Sequence, residues 1–186
     1  KALASTYMKK KDYEQAIAYY RRLVARNPRS GEAHGELGMA LFKGGNLYDA
    51  VDELKTALDF EPANTRYLNA LGRVYLRLDK LSLAESCFED VLKSDTDNID
   101  ARKQLGILAY RRKDWLRAEK YLRGVLAIDP RGVETRFYVG MIEINKKRLD
   151  KAVEHFTELR TYVSNDARVY YGLGLTYSLK GNTREA

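Results

Sequence analysis

The sequence is poor in the residues from which catalytic and metal sites are usually built. It has one cysteine, Cys87, which excludes an internal disulfide and a cysteine cluster for a metal. Its two histidines, His34 and His155, lie far apart and outside any HExxH spacing, and no GxxxxGK[ST] loop occurs. These absences predict no catalytic residue, no metal site, no cofactor and no small-molecule substrate, so we expect a protein that is not an enzyme.

Long apolar runs are also missing. No stretch approaches the ~18 apolar residues that a membrane-spanning helix needs, and no signal peptide is visible at the beginning of the sequence. The single cysteine and the lack of an export signal favour a reducing cytoplasm, although the compartment is left open. We therefore expect no direct membrane span.

The chain of 186 residues does contain enough apolar residues to fold, at 45% hydrophobic and 32% charged, which excludes the disordered class. Lysine and arginine number 33 against 26 acidic residues, for a net charge of +7. A nucleic-acid binder would need a continuous basic track, whereas acidic residues such as Asp52, Glu53, Glu85 and Glu89 interrupt the basic ones. The sequence therefore disfavours nucleic acid as the partner.

A period of 34 residues runs through the whole sequence. Pro62 follows Pro28 by 34 residues, and Pro130 follows Pro62 by twice that number. One position of the period is always alanine: Ala16, Ala50, Ala84, Ala118, Ala152 and Ala186. Another is always alanine or glycine: Ala4, Gly38, Gly72, Gly106, Gly140 and Gly174. A fixed period of this length indicates a repeat protein.

Each period is predicted to be a helix, a short turn and a second helix. In the second period, Leu37 and Leu41 lie on one helical face, Gly44-Gly45-Asn46 breaks the helix, and Pro62 ends the next one. The small residues predict close contact between paired helices. The predicted helices cover 1–9, 13–26, 32–43, 48–60, 66–78, 82–93, 99–112, 116–127, 133–146, 150–162, 167–180 and a last one beginning at 183. Stacked pairs of this kind build a solenoid.

The motif resembles the tetratricopeptide repeat. In the second period it consists of Leu37-Gly38, Leu41, Ala50, Leu54 and Pro62. The early tryptophan of the family is replaced by His34, Leu68, Arg102, Arg136 and Tyr170. The resemblance implies one all-α solenoid domain over 1–186, a right-handed superhelix with repeats at 1–30, 31–64, 65–98, 99–132, 133–166 and a partial 167–186. Both ends fall inside a repeat, so we expect a segment of a longer chain.

The resemblance also implies a concave groove, lined by the first helix of each repeat, that binds a peptide or protein. Its inward positions in repeats 3 and 4 form a predicted basic centre: Arg66, Asn69, Arg73, Arg77, Lys103, Gln104 and Arg111. Those in repeats 5 and 6 form a predicted aromatic patch: Phe137, Tyr138, Met141 and Tyr171. Arginine pairs with carboxylates, and aromatic residues and methionine supply apolar contacts. We expect an acidic and partly apolar ligand; the alternative is that these charges only solvate the groove.

Other roles within the family were weighed. The clamp that grips chaperone C-termini is disfavoured, since Glu36 has the wrong sign for it. A regulatory or assembly arm of a larger enzyme, or of a bacterial secretion, exopolysaccharide or magnetosome-like organelle machine, is the main alternative. Self-association is a further expectation, because Leu173, Leu175 and Tyr177 of the incomplete sixth repeat are expected to be partly exposed.

Overall fold

The computed structural model describes residues 2–181, and within them it contains eleven α-helices and no strand. The first helices of the repeats are α1 (Ala2–Lys9), α3 (Gly31–Gly44), α5 (Thr65–Arg77), α7 (Ile99–Arg111), α9 (Val133–Asn145) and α11 (Ala167–Leu179). The second helices are α2 (Tyr13–Arg26), α4 (Leu47–Phe60), α6 (Leu81–Ser94), α8 (Trp115–Ile128) and α10 (Leu149–Tyr162). The all-α prediction is confirmed.

The helix boundaries repeat with the period found in the sequence. First helices begin at residues 31, 65, 99, 133 and 167 in the second to sixth repeats. Second helices begin at residues 13, 47, 81, 115 and 149 in the first to fifth repeats. Each predicted boundary that falls in the described residues lies within one residue of the observed one. The predicted helix beginning at 183 and the last alanine of the period, Ala186, lie outside the described residues.

One residue after the first helix of each repeat is in the left-handed conformation, always at the same position of the period. These residues are Lys11, Gly45, Asp79, Lys113, Lys147 and Gly181. The turn closes the first helix with a backbone bond such as Asn46 N to Leu41 O at 2.9 Å. The left-handed conformation costs a non-glycine residue roughly 1–2 kcal/mol. Four of the six turns bear this cost, which is why glycine alone does not mark them in the sequence.

The helices form two compact units, Lys1–Asn98 with α1–α6 and Ile99–Ala186 with α7–α11. In each unit, every helix packs against the next one in the sequence. The first helices of successive repeats also contact one another, α3 with α5 in the first unit and both α7 and α11 with α9 in the second. Each unit therefore has a layer of first helices. A single solenoid domain over 1–186 stays a prediction.

In the second to fifth repeats, the glycine of the first helix packs directly against a large side chain of the second helix. A Cβ atom on Gly72 would lie 2.8 Å from the Phe88 ring, and one on Gly106 would lie 2.5 Å from Leu122 Cγ. The large residue is fully buried in both cases. Glycine is needed at these positions because the neighbouring side chain already occupies the space that a methyl group would take.

A recurring hydrogen bond links the start of a first helix to the turn before it. His34 Nε2 lies 2.9 Å from Pro28 O, the Arg136 guanidinium donates to Pro130 O, and the Tyr170 hydroxyl donates to Ser164 O at 2.7 Å. Each donor stands where the family has its early tryptophan, six residues after its acceptor. Three of the substitutions noted in the sequence thus share one structural role.

Replacing Arg136 with leucine is expected to lower the free energy of unfolding by about 1–3 kcal/mol, because hydrogen bonds from a charged group are lost and Pro130 O is left without its donor. Arg136 is buried and also donates from Nη1 to Glu158 Oε2 at 2.5 Å. Leu68 occupies the corresponding position of the third repeat, so a leucine side chain fits the packing of the repeat at this position. Denaturant unfolding followed by circular dichroism measures the change; an unchanged midpoint would show that the hydrogen bond contributes nothing.

Candidate functional site

The first unit contains a cleft of about 730 Å³. It lies among α1, α2, α3, the turn between α2 and α3, and the first turn of α5. Its apolar lining includes Met8, Leu23, Ala33 and Met39, and its polar lining includes Tyr20, Asn27, Glu32, Glu36 and Arg66. Its volume falls in the range of roughly 300–1,000 Å³ that is usual for ligand sites.

Glu36 joins two cleft residues from different helices. Arg66 Nη1 lies 2.5 Å from Glu36 Oε1, and the Tyr20 hydroxyl donates to Glu36 Oε2 at 3.4 Å. Burial, and then the charge of Glu36, raises the pKa of Tyr20 to about 12. Tyr20 is therefore a neutral hydrogen-bond donor at ordinary pH. Arg66, a member of the predicted basic centre, is already engaged by a carboxylate.

The other predicted residues of the first unit differ in their surroundings. Asn69 is half-buried, and its Oδ1 has no hydrogen-bond partner among the described residues. Arg73 and Arg77 are exposed on α5. The Arg77 guanidinium lies 5.9 Å from the centre of the Phe42 ring, at the distance of a cation–π contact. Two arginines of α5 are thus exposed.

The second unit supplies the remaining part of the predicted basic centre. Lys103 Nζ lies 3.4 Å from Glu134 Oε2 of the next first helix, which compensates its charge. Gln104 is half-buried, and Arg111 at the end of α7 is exposed. The basic centre as a whole draws on both units and stays a prediction. Within each unit, one of its cations is paired with a carboxylate.

The residues of the predicted aromatic patch divide into two groups. Phe137 and Met141 are half-buried and pack against the core cluster that contains Phe156, with the Phe137 and Phe156 ring centres 6.0 Å apart. Tyr138 packs instead against the core cluster of α7, α8 and α9, while Tyr171 is 59% exposed. Phe137 and Met141 therefore mainly stabilise the second unit, and the two tyrosines remain as surface groups.

Tyr110 completes this surface, and the sequence analysis did not include it among the site residues. Its ring centre lies 5.1 Å from that of Tyr138. Burial raises the pKa of Tyr110, and the nearby Tyr138 and Tyr171 raise it further, while a hydrogen bond with the Asn145 side chain lowers it. We call Tyr110, Tyr138 and Tyr171 the tyrosine surface. The sequence did contain a signal for Tyr110. This tyrosine lies near the end of α7, one residue after the repeat position that Tyr75 and Tyr177 occupy.

Cys87 and the two histidines are embedded in the helix packing. Cys87 is buried, and burial raises the pKa of its thiol to about 11, so little thiolate is present at neutral pH. His34 Nδ1 lies 2.6 Å from Glu53 Oε2, which together with the Pro28 contact holds the ring in place. Burial, and then the charge of Arg136, lowers the pKa of His155. The packing of these three residues is consistent with a structural role.

Among residues 2–181, no group of three or more histidine, cysteine, aspartate or glutamate side chains is placed to hold a metal ion. None of the helices in that range combines the length and apolar character required to cross a bilayer.

The sequence was compared with protein families and curated proteins. The profile described as tetratricopeptide repeat matches residues 1–65, 69–133 and 103–167. The chain is 24% identical over 183 residues to TPR repeat-containing protein YpiA of Bacillus subtilis, covering 95% of this chain and 41% of that protein. It is 24% identical over 176 residues to Superkiller protein 3 of Schizosaccharomyces pombe, covering 91% and 12%. The chain thus spans less than half the length of these relatives.

Solved structures resemble the chain over most of its length. YrrB, a TPR protein with an unusual peptide-binding site, has a TM-score of 0.78 at 22% identity, covering 89% of this chain and 86% of that one. PilF of Pseudomonas aeruginosa has a TM-score of 0.86 at 18% identity, covering 100% and 84%. MamA of Desulfovibrio magneticus RS-1 has a TM-score of 0.79 at 20% identity, covering 89% and 94%. At these identities the likeness shows the fold alone.

Proposed function

The chain belongs to the tetratricopeptide repeat family, and we propose that it holds a segment of a partner protein against the faces of its first helices. The family binds proteins or peptides and is generally non-catalytic, and its fold is that of a protein-interaction scaffold. We extend the non-catalytic character to this chain as part of the proposal. The partner is taken to be an acidic and partly apolar segment.

The observation that carries the proposal is the cleft of the first unit. Helices of three successive repeats line it, so a bound segment would contact several repeats at once. Met8 and Met39 are flexible apolar side chains that adapt to varied partners. Polar groups such as Asn27 and Tyr20 are suited to hydrogen bonds with a partner backbone or side chain. A lining of this mixed kind is typical of peptide-binding surfaces.

The preference for acidic residues is inferred from exposed arginines on first helices. Arg73 and Arg77 on α5 and Arg111 on α7 are exposed. Arg66 and Lys103 lie 2.5 and 3.4 Å from carboxylates of neighbouring repeats. Arginine forms paired hydrogen bonds with a carboxylate, which adds geometric specificity to charge attraction. Each unit would thus offer at least one arginine to an acidic side chain of the partner.

We expect a fluorescent peptide that alternates glutamate with leucine to bind the chain, and its lysine–leucine counterpart to bind at least about tenfold more weakly, which corresponds to 1.4 kcal/mol. Charge reversal at Arg73→Glu together with Arg111→Glu is expected to weaken binding of the acidic peptide by a similar factor. Fluorescence anisotropy at two salt concentrations measures both effects, since attraction between exposed charges decreases as salt increases.

A matched control variant changes the net charge by the same amount at positions outside the first helices. Lys120→Glu with Lys151→Glu alters two exposed lysines on the second helices α8 and α10. The affinity of this variant for the acidic peptide is expected to stay within about twofold of that of the wild type, because solvent screens exposed charges that lie away from the bound peptide. Equal loss in both variants would mean that the peptide responds only to net charge, and intact binding in the first variant would refute the arginine contacts.

The other roles stay predictions. An assembly or regulatory arm of a larger machine is compatible with the same binding surfaces. Self-association was expected from partly exposed apolar residues in the sixth repeat; Leu175 and Tyr177 are partly exposed, whereas Leu173 is buried. The exposed apolar groups of α11 are instead Tyr170, Tyr171 and Leu179. Contact between copies, if it occurs there, would use these residues.

A further inference from the structure

We propose that the first unit binds the surface of an anionic lipid bilayer through one end of its helices. The chain passes this end after α1, α3 and α5, at residues 9–12, 43–46 and 77–80. Short turns join neighbouring helices into antiparallel pairs, so the three first helices run in the same direction. The three turns therefore lie at the same end of the unit. The inference goes beyond the proposed function, which concerns the faces of the first helices.

This end of the first unit is rich in cations, and we call it the basic end. Its three turns contain six lysine or arginine residues, all exposed: Lys9, Lys10, Lys11, Lys43, Arg77 and Lys80. Two aspartates accompany them, and one of these, Asp12, caps α2 by accepting a hydrogen bond from Gln15 N at 3.2 Å. In the first turn of α4, Asp49 pairs with Arg21 at 3.5 Å. Cations therefore predominate at the basic end.

The opposite end of the same helices has a different charge. The chain passes it at residues 26–30, 60–64 and 94–98, which contain two arginines against one glutamate and two aspartates. Each end of the unit holds both N-termini and C-termini of helices, so the helix dipoles favour neither sign of charge there. The excess of cations at the basic end is therefore not required by the helices themselves, and it suits an anionic partner.

Large apolar side chains lie beside these cations. Tyr48, in the first turn of α4, is 70% exposed, and Leu83, in the first turn of α6, is 47% exposed. Lys80 Nζ lies 6.0 Å from the centre of the Tyr48 ring, so a cation of the third repeat and a tyrosine of the second are neighbours. At a bilayer surface, tyrosine rings lie at the level of the headgroups, leucine enters the acyl boundary, and lysine binds anionic headgroups. The basic end combines all three.

The apolar residues favour a bilayer over a nucleic acid as the anionic partner. Nucleic-acid phosphates would also attract the cations. Leu83, however, has no ring to stack on a base, whereas its burial among acyl chains is favourable. Five of the six cations are lysines, whose flexible point charges suit mobile headgroups, while arginine is the usual residue for paired contacts with a fixed phosphate or base.

The second unit repeats the combination at its own turns. Residues 111–114 and 145–148 contain six cations against one aspartate, although two of the cations pair with Glu119. Leu116, in the first turn of α8, is 78% exposed. An exposed leucine next to a basic turn thus occurs in both units, which is expected if this end of a repeat meets a bilayer.

The test is sedimentation of the whole chain with vesicles of phosphatidylcholine, alone or with about one third phosphatidylserine. We expect binding to the anionic vesicles only, and we expect it to weaken as salt increases. Lys10→Glu with Lys80→Glu should weaken binding by about tenfold or more, because attraction to the headgroups becomes repulsion. Tyr48→Ala with Leu83→Ala should weaken it by about tenfold at unchanged net charge, because the apolar contacts with the bilayer are lost.

The matched control is Arg26→Glu with Arg29→Glu, which makes the same change of net charge at the opposite end, where both arginines are exposed. Its binding to anionic vesicles should stay within about threefold of that of the wild type. Absence of vesicle binding overturns the inference, as does an equal loss in the control or an unchanged affinity of the Tyr48→Ala, Leu83→Ala variant. Tighter binding to a random DNA duplex than to the anionic vesicles at the same salt would assign the basic end to nucleic acid and overturn it as well.

Circular dichroism of each variant shows that the helices are retained, since all the substituted residues are exposed. The glutamate–leucine peptide separates this inference from the proposed function. Lys10→Glu with Lys80→Glu should bind the peptide within about threefold of the wild type while losing the vesicles, because neither lysine lies on the faces of the first helices. A variant that loses peptide and vesicles equally would contradict a separate bilayer surface.

Discussion

Replacing Phe156 with alanine is expected to lower the free energy of unfolding by about 3–5 kcal/mol, the usual cost of removing a fully buried phenylalanine ring. Phe156 has no solvent exposure and belongs to the core cluster of α9, α10 and α11. Its ring is enclosed by two glycines of neighbouring first helices. A Cβ atom on Gly140 would lie 2.6 Å from the ring, and one on Gly172 would lie 2.4 Å from it.

The size of the loss follows from this enclosure. Helix backbones at Gly140 and Gly172 have no side chains that could move into the space left by the ring, so we expect a cavity to remain. The matched control is Phe156→Leu, since leucine occupies the corresponding positions Leu54 and Leu122. That variant is expected to lose only about 1–1.5 kcal/mol because most of the volume is kept.

Guanidinium unfolding of the three proteins measures the differences, and amide hydrogen exchange shows where they arise. Repeat proteins can lose cooperativity, so local protection complements the global midpoint. Exchange in Phe156→Ala should increase most in α9, α10 and α11. Equal stability of the alanine and leucine variants would contradict the enclosed packing inferred here.

The second large effect is expected at the buried glutamate of α9. Glu143 has no solvent exposure and pairs with Arg123 Nη2 at 2.8 Å and with the Arg148 guanidinium. Glu119 joins the same group through Arg123, Arg148 and Lys146. Two carboxylates are thus held by three cations at the junction of α8, α9 and the turn after α9.

Arg148→Met is expected to lower the free energy of unfolding by about 2 kcal/mol. Removing one partner of a buried ion pair typically costs roughly 3–5 kcal/mol, because the other charge stays buried without compensation. We expect less here because Arg123 still pairs with Glu143 and because the Arg148 side chain is 33% exposed. Denaturant unfolding measures the change.

Glu143→Leu is the comparison variant for Arg148→Met. We expect its free energy of unfolding to stay within about 1 kcal/mol of that of the wild type. Replacing a buried charge with an apolar side chain removes its desolvation cost. Leu41 occupies the corresponding position of the second repeat and is buried, so leucine fits the helix packing there. Arg123 and Arg148 still bind Glu119. A loss as large as that of Arg148→Met would show that the buried pair stabilises the fold by itself.

Acid titration gives an independent readout of Arg148→Met. Burial alone would raise the pKa of Glu119, but hydrogen bonds from Lys146 and Arg148, with their charges, lower it from 4.5 to about 2. Because the pKa is lowered in the folded state, the ion pairs of Glu119 contribute fully to the free energy of unfolding above pH 4.5, and this contribution is lost as the pH falls towards 2. Between pH 4.5 and 2, the free energy of unfolding should therefore fall less for Arg148→Met than for the wild type. Parallel plots of this free energy against pH would contradict the role of Arg148.

The candidate site was predicted only in part. The groove positions implied by the family resemblance included Arg73, Arg77 and Arg111, and all three are exposed on first helices. The same pattern did not show that Arg66 pairs with Glu36, because the two residues lie in different repeats. Tyr110 was missed because its helix position differs by one residue from the tyrosines of other repeats. Side-chain pairing across repeats depends on helix contacts that spacing within one repeat does not specify.

The sequence by itself determined the 34-residue period, the helix boundaries to within one residue and the family. It did so because glycine, alanine and proline mark each helical pair locally, with no gap in their spacing. Only the tertiary structure decided which side chains meet: the left-handed residue of each turn, the bond to the preceding carbonyl, the glutamate buried in α9 and the tyrosine surface. These features arise when neighbouring helices pack, and similar residues at one repeat position acquire different partners there.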